Sequence, residues 1–140
     1  MSFIVIEDEA YILKIHDDNL LEFIIREESM MDLKVAMDVK KLLEGFRPEL
    51  KYYVLAEGIG VFKVTMELRE LMAGAEFSSH VAAVAFHTTN PSMILLGEMY
   101  NSINKPVAKT KIFYSRHSAW EWLQGQMAER IVPVSKRSRF

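Results

Sequence analysis

Apolar residues recur along the chain in two rhythms, and the change from one to the other divides it. From Phe3 to Arg26 the step is two. Phe3-Ile4-Val5-Ile6 is β-branched and aromatic, as strands prefer. Tyr11, Leu13 and Ile15 then alternate with Ile12, Lys14 and His16, and Leu20 to Arg26 is a third run rich in Leu, Ile and Phe. Asp8-Glu9 separates the first two runs. Asp17-Asp18-Asn19 separates the next two, and is a turn cluster because Asp and Asn side chains hydrogen-bond nearby backbone. The pattern predicts an antiparallel meander of three strands.

Beyond Ser29 the step becomes three or four. Leu33, Ala36, Met37 and Leu43, with Val39, Leu42 and Phe46, mark an amphipathic helix that Gly45 and Pro48 close. Lys34–Asp38 and Lys40–Glu44 are spaced to pair on its surface. Tyr52 to Ala56 reads as a short apolar strand, and Gly58-Ile59-Gly60 as the loop after it. Thr65 is placed to cap a helix carrying Met66, Leu68, Leu71 and Met72, with Gly74 at its exit.

Val81-Ala82-Ala83-Val84-Ala85-Phe86 is a continuous small apolar run, which predicts a strand buried on both faces. Asn90 followed by Pro91 is a helix start with a mechanism: a side chain that caps, then a ring whose fixed φ suits the first turn. Met93, Leu96, Met99, Tyr100 and Ile103 form the stripe of that helix, and Gly97 within it predicts a close approach. Lys111 to Tyr114 is the last strand. Ser115 caps a final helix lined by Ala119, Trp122, Leu123 and Met127, and Pro133 ends regular structure. The expected fold is α/β: a mixed sheet with antiparallel strands first, then helices alternating with parallel strands. Residues 1–132 are expected to form the single domain, and residues 133–140 a basic tail.

Composition narrows the class. In 140 residues with half of them apolar, folding removes roughly two-thirds of the unfolded chain's surface, enough for a core without staples. There is no cysteine, which excludes disulfides, thiolate metal sites and cysteine nucleophiles. No apolar run approaches the ~20 residues that span a bilayer, so no membrane insertion is expected. The opening Met1 to Glu9 lacks the basic segment and apolar stretch of a signal peptide, so the expected location is cytoplasmic. Residues 1–70 carry 15 acidic against 9 basic side chains, and residues 71–140 carry 4 against 8. The overall balance of −2 is wrong for a nucleic-acid binder.

The order of elements resembles that of the STAS-like, or SpoIIAA-like, proteins: anti-sigma-factor-antagonist-like domains that include small free-standing bacterial members. Val81 to Phe86 looks like their central buried strand. Asn104-Lys105-Pro106 followed by Lys109 to Phe113 looks like their passage from helix to edge strand, and Ala119-Trp120-Glu121-Trp122-Leu123 resembles their closing helix. Signalling members switch through a phosphorylated serine at the start of the helix after the second core strand. The corresponding stretch here, Leu55 to Thr65, holds no serine and no aspartate, and its only hydroxyl is Thr65, which the helix needs as a cap. The resemblance therefore implies architecture and contacts with proteins more than chemistry.

Candidate chemistry is sparse. Gly58, Gly60, Lys63 and Thr65 on one side, and His87, Thr88 and Asn90 on the other, stand after strands where open α/β sheets bind ligands. They are the expected positions for a small anionic or lipid-like molecule. The glycines lack the remaining residues of a dinucleotide fingerprint or P-loop. His16, His80, His87 and His117 show no metal spacing, and Ser78-Ser79-His80 lacks a nucleophile elbow, so no catalytic residue, metal or cofactor is expected. Tail residues Lys136, Arg137 and Arg139 read as a solvated charge run. Trp120 falls off the last helix's stripe and is the expected contact residue of an interface. Methionines 66, 72, 93 and 99 lie on helices that cover the sheet and suit packing or adaptable contacts. The function expected is a non-enzymatic module working through protein contacts, with itself as a homodimer or with another protein; the alternative is a small-molecule binder.

Overall fold

The computed structural model describes residues 4–44 and 51–129. Gly45, Phe46 and Pro48, expected to close the first helix, lie outside them, as do Phe3, Pro133 and the basic tail. Three strands, β1 (Ile4–Glu7), β2 (Tyr11–Ile15) and β3 (Leu20–Ile25), form the antiparallel meander, with Ile4 opposite Ile15 and Tyr11 opposite Ile25. The turn at Asp17–Asn19 places Asp18 and Asn19 at φ 61° and 59°, in the left-handed region that Asp and Asn tolerate better than most residues. Asn19 is buried there, and its amide donates to the Lys51 carbonyl.

Next come β4 (Met30–Met31), α1 (Leu33–Leu43), β5 (Tyr52–Gly58), β6 (Lys63–Val64), α2 (Met66–Ala73) and α3 (Ala75–His80). The chain ends its described part with β7 (Val81–His87), α4 (Pro91–Asn104), β8 (Lys109–Phe113) and α5 (Arg116–Glu129). The main sheet has six strands in the order β1-β2-β3-β5-β7-β8, and from β3 onward each neighbour is parallel. The mixed α/β architecture matches the expected one.

Helices α1, α2 and α4 cover one face. Val35, Val39 and Leu43 of α1 pack on Tyr11, Leu13, Ile15 and Leu21, while Leu68 of α2 and Met93 of α4 pack with Ile25, Met31 and Phe62. On the other face α5 supplies Ala119 and Leu123, both fully buried against Leu20, Tyr53, Leu55, Ala83 and Ala85.

Several expectations need correcting. Strand β5 runs on to Gly58, so Gly58 ends a strand and does not open a loop. The Phe62 ring packs where its side chain would begin, and only glycine leaves that space. Strand β7 is not equally buried on both faces: Val81, Ala83, Ala85 and His87 are buried while Ala82, Val84 and Phe86 are half-buried, because α5 seals its side more tightly. The last strand begins two residues early, at Lys109, and Tyr114 falls outside it. Lys40 pairs with Glu76 of α3 at 3.3 Å in place of Glu44, whereas Lys34–Asp38 forms as expected. The small parallel pair β4·β6, joining Met30 to Lys63 and Met31 to Val64, and the six-residue α3 have no counterpart in the sequence reading.

Candidate functional site

The predicted ligand positions serve the backbone. Gly60 sits at φ 62°, and a Cβ there would meet the Glu27 side chain at 2.5 Å. Lys63 is exposed and lies in the β4·β6 pair, its N–H donating to the Ser29 carbonyl. The Thr65 hydroxyl oxygen accepts from the Leu68 N–H, capping α2. Asn90 Oδ1 accepts from the Ser92 and Met93 N–H groups at the start of α4. Thr88 is buried: its N–H donates to the Phe113 carbonyl and its hydroxyl oxygen accepts from the Asn90 N–H. The residues from Ile59 to Lys63 bond back to the segment from Ile25 to Ser29, so their partners lie on the β3 side and not on the His87 loop. The register of β5 and β7 ends with Glu57 opposite His87, so of the predicted positions only His87 gains a partner there, and that partner was not among them.

His87 belongs to something the sequence reading missed. Its Nδ1 lies 3.2 Å from Glu57 Oε2, Glu57 Oε1 lies 3.8 Å from Arg116 Nη1, Arg116 Nη2 donates to Glu22 Oε2 at 2.9 Å, and Glu22 Oε1 lies 2.7 Å from His16 Nε2. Five charged or titratable groups thus form one line from His16, just past the end of β2, through β3 and β5 to β7, with Arg116 of the first turn of α5 at its centre. Strand periodicity explains the placement. Leu20-x-Glu22, Leu55-x-Glu57 and Ala85-x-His87 all point to the α5 face, apolar where Ala119 and Leu123 cover it and polar where the helix begins. Burial pushes the Glu22 carboxyl up, but hydrogen bonds from Arg116 and His16 outweigh it and hold the group below its usual value. The signal available in the sequence was a glutamate inside each of two otherwise apolar strands. The turn expected at Asp17-Asp18-Asn19 is present directly after His16, and the His16 ring pairs across it with Glu22. Among the described residues no group of three or more His, Cys, Asp or Glu is arranged to hold a metal, and no helix is long and apolar enough to cross a membrane.

Trp120 is half-buried and packs with Trp122 against the α5-side core. The apolar surface that remains open is elsewhere. Helix α4 turns Met93 and Ile94 into the sheet and lays Gly97 on Ile112. Its opposite side carries Leu95, Met99 and Ile103, at 61%, 45% and 69% exposure, and Val107 just beyond the helix is 63% exposed. Glu98 is the only charged residue in the fourteen of α4. A helix apolar on both sides is ordinarily one that is covered on both sides. By contrast, the outward positions of α5 include His117 and Glu121, which face each other at 3.4 Å.

Residues 13–127 match a family described as Domain of unknown function (DUF7793). No curated protein matches the chain. Among solved structures, the chain is similar to an uncharacterized protein of the DUF3478 family from Shewanella loihica PV-4, described as having a SpoIIAA-like fold. The identity is 15%, the TM-score 0.53, and the match covers 87% of this chain and 92% of that one. At that identity the likeness concerns the fold, which is the SpoIIAA-like fold that the order of elements implied.

Proposed function

The chain belongs to the DUF7793 family, and from that premise we propose that it is a non-enzymatic, cytoplasmic interaction module that binds protein through the outer face of α4. The observation that supports this reading is the row Leu95, Met99 and Ile103 on a helix whose only charge is Glu98, with Val107 also exposed just past the helix end. Contiguous apolar surface of this kind, rimmed by polar residues, is characteristic of docking sites on soluble domains. Methionine at its centre adds a side chain that adapts to the partner's shape. Trp120, the contact residue expected from sequence, contributes mainly to holding α5 on the sheet.

The test is photo-crosslinking in cells from a benzophenone side chain at position 99, with the same group at Gln124 on α5 as the control site. The reading expects a discrete protein adduct from position 99 and none from position 124. Equal labelling from both sites, or none from position 99, would overturn it.

A further inference from the structure

We propose that β1 is a dimerisation edge: it pairs antiparallel with β1 of a second copy of this chain, Val5 opposite Val5, and joins the two six-stranded sheets into one. This surface is separate from the α4 face, and the inference does not rest on that reading.

The hydrogen bonds of the meander define what is open. The Asp8 N–H donates to the Tyr11 carbonyl, so Asp8 and Tyr11 form a bonded pair, and bonded and non-bonded pairs alternate along an antiparallel ladder. Counting back through the register, Ile6–Leu13 and Ile4–Ile15 are bonded pairs, whereas Glu7–Ile12 and Val5–Lys14 are not. The other side of β2 agrees. The Arg26 N–H donates to the Ala10 carbonyl and the His16 N–H to the Leu20 carbonyl, which turns Ile12 and Lys14 toward β3. The N–H and C=O groups of Val5 and Glu7 therefore point away from the sheet, and no other described residue bonds to them.

Such an edge takes another strand, and the two edges of this sheet are not alike. Ile4 and Val5 are adjacent, so they lie on opposite faces, and they are 46% and 48% exposed. Strand β1 has no proline, lysine or bulge, and its only protection is its length of four residues. At the other edge, the bond from the Thr88 N–H to the Phe113 carbonyl turns Phe113 toward β7 and Thr110 outward. The Thr110 carbonyl is already taken there by the Asn101 amide at 2.9 Å, and Lys109 and Lys111 stand exposed beside it. Head-to-tail pairing of β1 on β8 is thereby blocked, which leaves β1 on β1.

A two-fold antiparallel pair sets each residue opposite the one that mirrors it, and outward groups must meet outward groups. Within β1 three registers satisfy this. Glu7 on Glu7 sets like charges face to face. An axis at Ile6 sets Val5 against Glu7 and Ile4 against Asp8, an aliphatic side chain against a carboxylate each time. An axis at Val5 gives Val5 on Val5 and, twice, Ile4 on Ile6, aliphatic in all three pairs. Ile6 already packs on the core of Tyr11, Leu13 and Ile15, so the Ile4–Ile6 pairs prolong that core across the join. Because α4 lies at the β8 end of the sheet, the dimer carries its two α4 faces at its far ends.

Sedimentation equilibrium of the full chain over ~5–500 μM reads the association. The contact is well under the ~800 Å² per partner of a standard stable interface, so a reversible monomer–dimer equilibrium in the micromolar range is expected. Val5→Pro removes an N–H that faces outward and serves no bond to β2. It should raise the dissociation constant at least about tenfold, with the thermal midpoint of the dilute chain within a few degrees of wild type. Val5→Lys should do the same by setting two charges opposite one another. The chain has no cysteine, so engineered thiols report register without background. A mixture of Ile4→Cys and Ile6→Cys chains should form a disulfide faster than either variant alone. A monomer at every concentration overturns the self-pairing. A benzophenone at position 5 that captures a different protein, in a chain that stays monomeric, gives the edge to that protein's strand and overturns the second copy as its partner. A dimer that survives both Val5 variants overturns the β1 edge, and Ile6→Cys alone reacting faster than the mixture overturns the register.

Discussion

Arg116 Nη2 stands 2.9 Å from Glu22 Oε2, joining residues 94 positions apart and fastening the start of the last helix to the third strand. The same guanidinium reaches Glu57 at 3.8 Å. Removing it with Arg116→Met leaves two part-buried carboxylates on neighbouring strands without their shared cation. The expected loss is about 1–2 kcal/mol in urea unfolding, less than for a sealed ion pair because half of Arg116 is open to water. Lys34→Met, which breaks only the exposed pair with Asp38, should change stability by less than about 0.5 kcal/mol.

Acid should weaken the protein through the same pair. The Glu22 carboxyl is held below its usual value of 4.5. A depressed carboxyl adds stability that is in place above the usual value and is lost as pH falls through the lower, folded one. Stability followed from pH 7 to pH 3 should fall at the acid end, and Arg116→Met should flatten that fall.

At the alkaline end the group most raised is Tyr100, whose hydroxyl burial pushes up to about 12 from 10.0. A raised pKa means that stability is full below pH 10 and is lost as pH rises through about 12. Tyr100→Phe has no proton to lose and should show a shallower alkaline decline, read by denaturant midpoints between pH 9 and pH 12.

Two glycines should respond to alanine with opposite signs. Gly125 lies in α5 with nothing within 4 Å of the position a Cβ would take, so Gly125→Ala should stabilise by about 0.5–1 kcal/mol. Gly60 is at φ 62° with Glu27 against it, so Gly60→Ala should destabilise by about 1–2 kcal/mol. Thermal unfolding of the two variants beside wild type checks both.

Leu123 and Leu95 offer a second contrast, between residues of one type. Leu123 is fully buried under α5, and Leu123→Ala should cost about 2–5 kcal/mol. Leu95 is 61% exposed, and Leu95→Ala should leave the monomer within about 0.5 kcal/mol of wild type. Chemical denaturation at concentrations below any dimerisation separates the two.

What the sequence made legible follows from local physics. The caps at Thr65 and Asn90, the Pro91 start of α4 and the close approach at Gly97 each depend on neighbours within a few residues or on a missing side chain, and each is found in place. The meander was readable because its alternation runs over several residues in each strand. The β4·β6 pair was not, since two residues cannot display a period and Met30 finds Lys63 only after the crossover is built. Nor was the line from His16 to His87. Its members come from five separated segments, and what unites them is sheet register and the docking of α5. The open face of α4 was half legible: Met99 and Ile103 were read as part of the buried stripe, although Leu95, Met99 and Ile103 point away from it. Hydrophobicity marked both sides of the helix alike and gave no way to tell inside from outside.

The position of Arg116 has a consequence in time as well as in space. Translation runs from the amino end, so β3, β5 and β7 are all made before the residue that neutralises Glu22 and Glu57. Until the final helix emerges and docks, the central sheet exposes Leu55, Ala83 and Ala85 beside two carboxylates that lack their cation. The last helix therefore brings the cover for those apolar residues and the guanidinium shared by Glu22 and Glu57 together, on one element.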